Sequence, residues 1–546
     1  MFARATTALS GSGLDVGGVC VPRPNDLMYD RCAQRAVDAL RAPYPHFSAS
    51  ARNADPDAYH SAQCARRAAL ESLLWVDLNQ DALDRMLDLI ELICQEDCWS
   101  VSFEKFDDPM CPRIDVQAAE TGVLIAWVLR KHGARIAEAA SGLAARMLCE
   151  VRRRLFAPIL NGGDYDFLRG AGRAPALILA DIAVCCMLME KTPSRRQPPL
   201  KLILHTLDRL CLTKRCAPCA IVDRLMDACA LADFARLTKR LTRGEVDFTR
   251  ETPPAEWLDD ALIPWIGREY FFDPAGCGMM PEASGMDYFR LGYFTRDRAI
   301  AALGAALLRE TDRPAATVTG RILSMELVRA ARDEVSPPPR LRRAATEDGS
   351  LLLSRIGGMT CAITQGSDRA NAGDIILFAD ATPILIDTGS PDDHSLPMIN
   401  GARPLRHPRS RVPMDCDFQD DHDLMSADLS LCYPDACGLR AYQRTLMTMR
   451  GDLTVRLIDA FEFGAPPAQL AFRFITAQKP LILRDCVRLG PVVMTWDGDL
   501  AIEVRDLELR DPSAAQNLPA KCCILQCTSL RPAARSIFSF TFEKRL

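Results

Sequence analysis

The chain has no apolar run approaching the roughly 20 residues needed to span a bilayer. Near its start, Ser10 to Gly18 is rich in Gly, Ser and Asp, where a secretion signal would need a continuous apolar core. No Walker loop, dinucleotide-binding glycine fingerprint, HExxH or GxSxG occurs, which disfavours those enzyme classes. No strict sequence period supports a named repeat array. Net charge is also scarce: a balance of -5 gives no general attraction to nucleic acid or acidic membranes, although a local basic site could still meet a polyanion.

What is present points to an ordered protein of several domains. A chain of 546 residues exceeds one compact core, so two or three domains are expected. Its 48% hydrophobic and 25% charged residues are ordinary for a globular chain. The 22 cysteines read as reduced thiols of a cytoplasmic protein, because many, such as Cys185 and Cys186, lie in apolar helical runs where Cys acts as a small hydrophobe. Cys216-Ala217-Pro218-Cys219 is a lone CxxC and reads better as two buried thiols than as a redox or zinc site.

The first two thirds carry a helical period. Leu83, Met86, Leu87, Ile90 and Ile93 share one face within a pattern running from Ala62 to Asp97. Further helices are expected over 116–131, 136–156, 174–190, 200–212, 221–240 and 299–308. Such antiparallel pairs suggest a solenoid or closed toroid. Pro337-Pro338-Pro339 and the basic run Arg340 to Arg343 then form a linker, since three prolines exclude helix and central strand. Beyond it the period becomes two, with turn signals between short runs, as in a β-sandwich. Within this part, Ile375 to Phe378 and Ile384 to Ile386 flank Asp380-Ala381-Thr382-Pro383 and read as a β-hairpin buried on both faces.

The phrase GDIILFADATPILIDTG followed by HSLPMING resembles the C-terminal sheet domain of the heparinase II/III family of polysaccharide lyases. CQEDCWSVSFEK, IDVQAAETGVLIAW and YFRLGYFTRDRAIAALGAALLRE are similar to segments of that family's α/α toroid. The resemblance covers most of Trp99 to Phe463. It implies a multidomain α and β chain: an N-terminal α/α toroid over 1–335, then a C-terminal antiparallel β-sandwich over 344–546. It also implies β-elimination from uronate-containing glycans of the heparin or heparan type. That reaction needs a group neutralising the carboxylate, a base for the C5 proton and an acid for the leaving oxygen.

The family's catalytic residues carry over incompletely. His394 matches the sheet-domain His; it reads as a metal ligand or a residue supporting one, or as a loop His satisfied by Asp392 or Asp393. Ser367, Arg369 and Asn371 stand where the family has an HxHxD cluster. Arg and Asn are poor zinc ligands, so neither metal nor cofactor is expected. Arg369 could instead pair with a substrate carboxylate or sulfate, or with Asp368, and Asn371 stands beside it in the same expected binding cluster.

In the toroid, Glu104 follows Cys98-Trp99 where relatives have a His; a carboxylate facing a polyanion is electrostatically disfavoured as a base. Tyr288 and Tyr165 are the acid/base candidates, each with the alternative of ordinary aromatic packing. Two readings result: a cytoplasmic lyase, or a catalytically degenerate relative that binds an acidic glycan or a protein partner. The expected partner is an acidic oligo- or polysaccharide, with no nucleic acid and no membrane; a homodimer stays open.

Overall fold

A computed structural model describes the chain apart from residues 12, 17–18, 23–25, 44–54, 102–111, 213–220, 250–252, 254, 269, 273–283, 312, 347–348, 367–370, 389, 391, 406–411, 509–520 and 546. It divides into two compact units. One comprises Met1–Arg215, Asp223–Ala255 and Ala283–Pro337; the other comprises Cys216–Val222, Glu256–Glu282 and Pro338–Leu546. The fold is an α/α toroid of helices followed by antiparallel sheets packed as a sandwich.

In the helical unit, side-chain caps set the starts of successive helices. Asp55 accepts from the Ala58 amide at 2.9 Å, Asn79 from Ala82 at 2.8 Å and Asp115 from Ala118 at 2.9 Å, each satisfying an amide the helix itself cannot. The Asn79 cap explains why the pattern over 62–97 is two helices, Pro56–Leu74 and Gln80–Gln95. The span expected as one helix over 136–156 is likewise divided. Val116–Ala139 ends before Gly142, which sits at φ 90, and Leu143–Val151 passes into a π-helical stretch, Arg152–Phe156. The helix Pro175–Met189 is buried on nearly every side, as its continuous apolar sequence requires. The helix expected from 200 begins at Pro193 and runs on through Pro198 and Pro199. Among the described residues no helix is long and apolar enough to cross a membrane.

Among the described residues the sheet unit holds two large antiparallel sheets and a two-stranded one, Trp265–Gly267 with Tyr270–Phe271. One large sheet runs in the order Leu481–Ile482, Val487–Leu489, Val492–Trp496, Arg535–Lys544, Thr454–Phe463, Leu439–Met449, His422–Asp428, Met414–Phe418. The other runs Leu500–Leu507, Cys522–Ser529, Leu470–Thr476, Thr382–Leu385, Ile375–Ala379, Met359–Thr364, Leu351–Ile356, Arg343–Ala345, with Met398–Ile399 paired beside Leu470–Thr476. Phe472 anchors their shared core, its ring centroid 4.7 Å from that of Phe538 and 5.0 Å from that of Phe540.

Burial alternates along Thr454–Phe463, whereas every residue of Leu470–Thr476 is buried. The difference arises because the second sheet is covered on both faces. Ile263, Ile266 and Phe272 pack with Leu353, Ile376, Phe378 and Ile475 on the side away from the sandwich core. Residues lying well before the proline linker in sequence thus belong to the sheet unit. This covering is also why the Ile375–Ala379/Thr382–Leu385 hairpin is buried on both faces. Its turn places Asp380 at φ 46 and Ala381 at φ 62, the left-handed pair that two-residue hairpins demand.

Candidate functional site

The open end of that hairpin builds the site. Asp374 immediately precedes the first strand and Asp387 follows the second; antiparallel pairing of Leu377 with Leu385 brings these flanks together. The next loop returns His394 to the same place. Its Nδ1 lies 3.1 Å from Asp374 Oδ2 and 3.8 Å from Asp387 Oδ1. Ligand atoms of the three side chains all fall within 4.8 Å of one another. The trio is buried, with His394 8%, Asp387 3% and Asp374 1% exposed.

Asp374 is held rigidly. Its Oδ1 accepts from the Ser395 amide at 2.9 Å and from the Ile375 amide at 2.8 Å, which leaves Oδ2 directed at the imidazole. Ser395 is fixed in turn, its Oγ accepting from the Ile475 amide at 3.0 Å. Behind both loops stands Arg444, 1% exposed, which donates to the Gly373 carbonyl at 3.1 Å and the Ser395 carbonyl at 2.6 Å. Its guanidinium is anchored on Asp459 at 2.8 and 3.0 Å. One buried ion pair therefore ties together the backbones carrying Asp374 and His394. Gly373 sits at φ 78, and a Cβ there would meet Leu429 at 2.6 Å, so the approach to Asp374 requires glycine.

The sequence placed His394 here but assigned it the wrong neighbours. Asp392 and Asp393 turn to arginines: Arg403 Nη1 lies 3.4 Å from Asp392, and Arg473 Nη2 lies 3.5 Å from Asp393. Asp374 and Asp387 were overlooked, although flanking an open hairpin end is a readable signal. A metal was not expected because Arg369 and Asn371 replace the family cluster. Two carboxylates and an imidazole nevertheless have the donor chemistry of a divalent-cation site, so the described residues fit such an ion.

Asn371 lies near this end, 8% exposed, its carbonyl accepting from the Asp374 amide at 3.1 Å. Arg369, Glu104 and the Cys216–Cys219 pair fall outside the described residues.

The tyrosines belong to the helical unit. Tyr288 is 1% exposed, and burial pushes its phenol well above 10, with Cys229 and Asp287 adding to the rise. Tyr165 is 9% exposed; its hydroxyl donates to the Pro112 carbonyl at 2.8 Å and its ring stacks on Phe167 at 5.3 Å.

No protein-family model matches the chain, and no curated protein sequence does. Solved structures do match. A Streptomyces coelicolor chondroitin AC lyase in complex with chondroitin sulphate superposes with a TM-score of 0.61 at 10% identity, covering 100% of this chain and 83% of that one. A heparinase III gives 0.54 at 8% identity over 99% and 86% of the two chains. A Paenibacillus xanthan lyase gives 0.59 at 9% identity over 100% and 59%. At these identities the likeness concerns the fold, and the fold is that of the polysaccharide lyases built from an α/α toroid and a β-sandwich.

Proposed function

We infer that this chain binds a uronate-containing acidic glycan and that neither Tyr288 nor Tyr165 performs its elimination. The fold shared with chondroitin and heparin lyases supports the ligand class. The observation that carries the second half is the burial of Tyr288. An elimination base must touch the C5 proton and an acid must reach the leaving oxygen. A phenol 1% exposed, whose ionisation burial opposes, can do neither in this conformation, and Tyr165 spends its hydroxyl proton on a backbone carbonyl. Arg369 and Asn371, just before Asp374 in sequence, are the groups proposed to meet the ligand carboxylate, with Glu104 as the proposed contact from the toroid.

A second reading, β-elimination of heparin- or heparan-type glycans, is favoured by one specific contact. Asp374 at 3.1 Å from His394 Nδ1 is the pairing by which a carboxylate orients an imidazole and raises its basicity, as a proton acceptor needs. A divalent cation held by Asp374, Asp387 and His394 would supply positive charge toward an acidic ligand. The cytoplasm remains the proposed compartment, supported by thiols such as Cys185 and Cys186 that burial keeps protonated.

Calorimetric titration with heparan sulfate, heparin, chondroitin sulfate and alginate oligosaccharides, with and without divalent metal, tests the binding reading. Saturable binding that survives His394→Ala supports it. Absence of binding to every one of them by folded protein rejects it.

A further inference from the structure

The helical unit contains a cavity of about 800 Å³ bordered by the helices Asp26–Arg41, Pro56–Leu74 and Arg298–Glu310 and by residues between Arg313 and Arg332. This lies within the range of about 300–1,000 Å³ that small-molecule sites occupy. Its wall is apolar. Ala65, Ala68 and Ala69 of one helix line it together with Trp75, Met286 and Leu308. Methyl groups stand where larger side chains would close the space.

Its charged lining is unbalanced: five arginines, Arg35, Arg309, Arg313, Arg321 and Arg332, against Asp38 and Glu71. Arg321 is committed, bonded to Glu71 at 2.5 and 2.8 Å and to the Ala315 and Ala316 carbonyls. Arg309 donates to the Glu334 carbonyl. Arg35, Arg313 and Arg332 are exposed and make no ion pair or side-chain hydrogen bond among the described residues. An apolar wall with uncompensated guanidinium groups beside it complements a ligand with an apolar body and one anionic head.

We propose that this cavity binds a soluble long-chain carboxylate, its chain against Ala65, Ala68, Ala69 and Trp75 and its head at Arg313 and Arg332. The site is independent of the residues around His394. The chain thereby carries a ligand site unrelated to glycans.

Isothermal calorimetry of the full chain with monomeric dodecanoate, dodecanol and dodecyltrimethylammonium tests this, with Trp75 fluorescence as a local reporter. Dodecanoate should bind saturably at one site. The double variant Arg313→Gln/Arg332→Gln should weaken it about ten-fold or more while leaving dodecanol unchanged. Ala68→Phe should fill the space and abolish both, with the circular dichroism and melting temperature retained. Replacing Trp75 by Phe should remove the fluorescence response and leave the calorimetric signal. Absence of saturable heat, equal affinity for the cationic amphiphile, or indifference to the arginine variants would overturn the proposal. Binding to phosphatidylglycerol vesicles without binding of monomeric dodecanoate would overturn it too, assigning the arginines to a membrane surface.

Discussion

The sheet unit and a buried trio of acids in the helical unit treat their carboxyl groups differently. In the sheet unit each strongly buried acid of the Asp374–Asp459 network meets donors. Asp459 takes Arg444 twice and Tyr442 at 2.8 Å. Asp423 takes Arg343, Arg450, Ser354 and Thr448. Asp374 takes two backbone amides and faces His394.

In the helical unit Glu120, Asp181 and Asp233 are buried with fewer donors, and each keeps one oxygen without a hydrogen-bond partner. Burial raises all three, Asp233 to about 6. The neighbouring Glu120 charge adds to the rise at Asp181. Arg290 serves Asp233 at 2.7 Å and Asp287 at 3.0 Å, so one guanidinium is shared between two acids. The sheet unit thus orients these buried carboxylates as acceptors; in the helical unit Asp287 and Glu96 are held the same way by several donors, whereas Glu120, Asp181 and Asp233 are not.

Removing a cation from the sheet network should have the largest effect. Arg444→Ala leaves Asp459 buried and unpaired, and urea unfolding should show a loss of about 3–5 kcal/mol; a loss below about 1 kcal/mol would erase the contrast. Asp181→Asn tests the buried trio. A carboxyl raised in the folded state binds more protons there than in the unfolded chain, so stability falls as pH rises through its folded range. The variant carries no such penalty. Compared with wild type it should gain on going from pH 5 to pH 8, on the order of 1–3 kcal/mol, the cost of an ill-satisfied buried polar group. A gain that shrinks with rising pH would mean the carboxylate is ionised and satisfied.

His132 offers a smaller effect of opposite sign. Burial lowers it from 6.5 to about 4, so the unfolded chain binds more protons across that window. Stability from the neutral imidazole is complete above about 6.5 and lost as pH falls toward 4. Wild type should lose on the order of 1–2 kcal/mol more than His132→Gln over this range, measured by melting at each pH. Equal losses would place the acid sensitivity elsewhere.

Much of this architecture can be read from the sequence because periodicity reports burial directly. The helices Pro175–Met189 and Ile221–Leu241 and the 375–385 hairpin are where apolar spacing puts them. Residues 263–272 were not assigned to the sheet unit, since nothing local distinguishes a short apolar segment that covers a sheet from one that continues a helix. At the site, His394 was legible through the resemblance, as the match to the family's sheet-domain His. Asp374 and Asp387 were not, because an aspartate at a strand end ordinarily faces water, and only the hairpin's closure makes the pair converge. The burial of Tyr288 was written in its neighbours: Met286, Phe289 and Leu291 surround it, all 5% exposed or less.

The central claim is that neither Tyr288 nor Tyr165 performs elimination here. Absorbance of the unsaturated uronate product, followed for wild type and Tyr288→Phe on heparan sulfate and chondroitin sulfate oligosaccharides, tests it most directly. The account predicts either no rise or a rise that Tyr288→Phe retains. A wild-type rise that falls by roughly 10² or more in a folded Tyr288→Phe protein would contradict it.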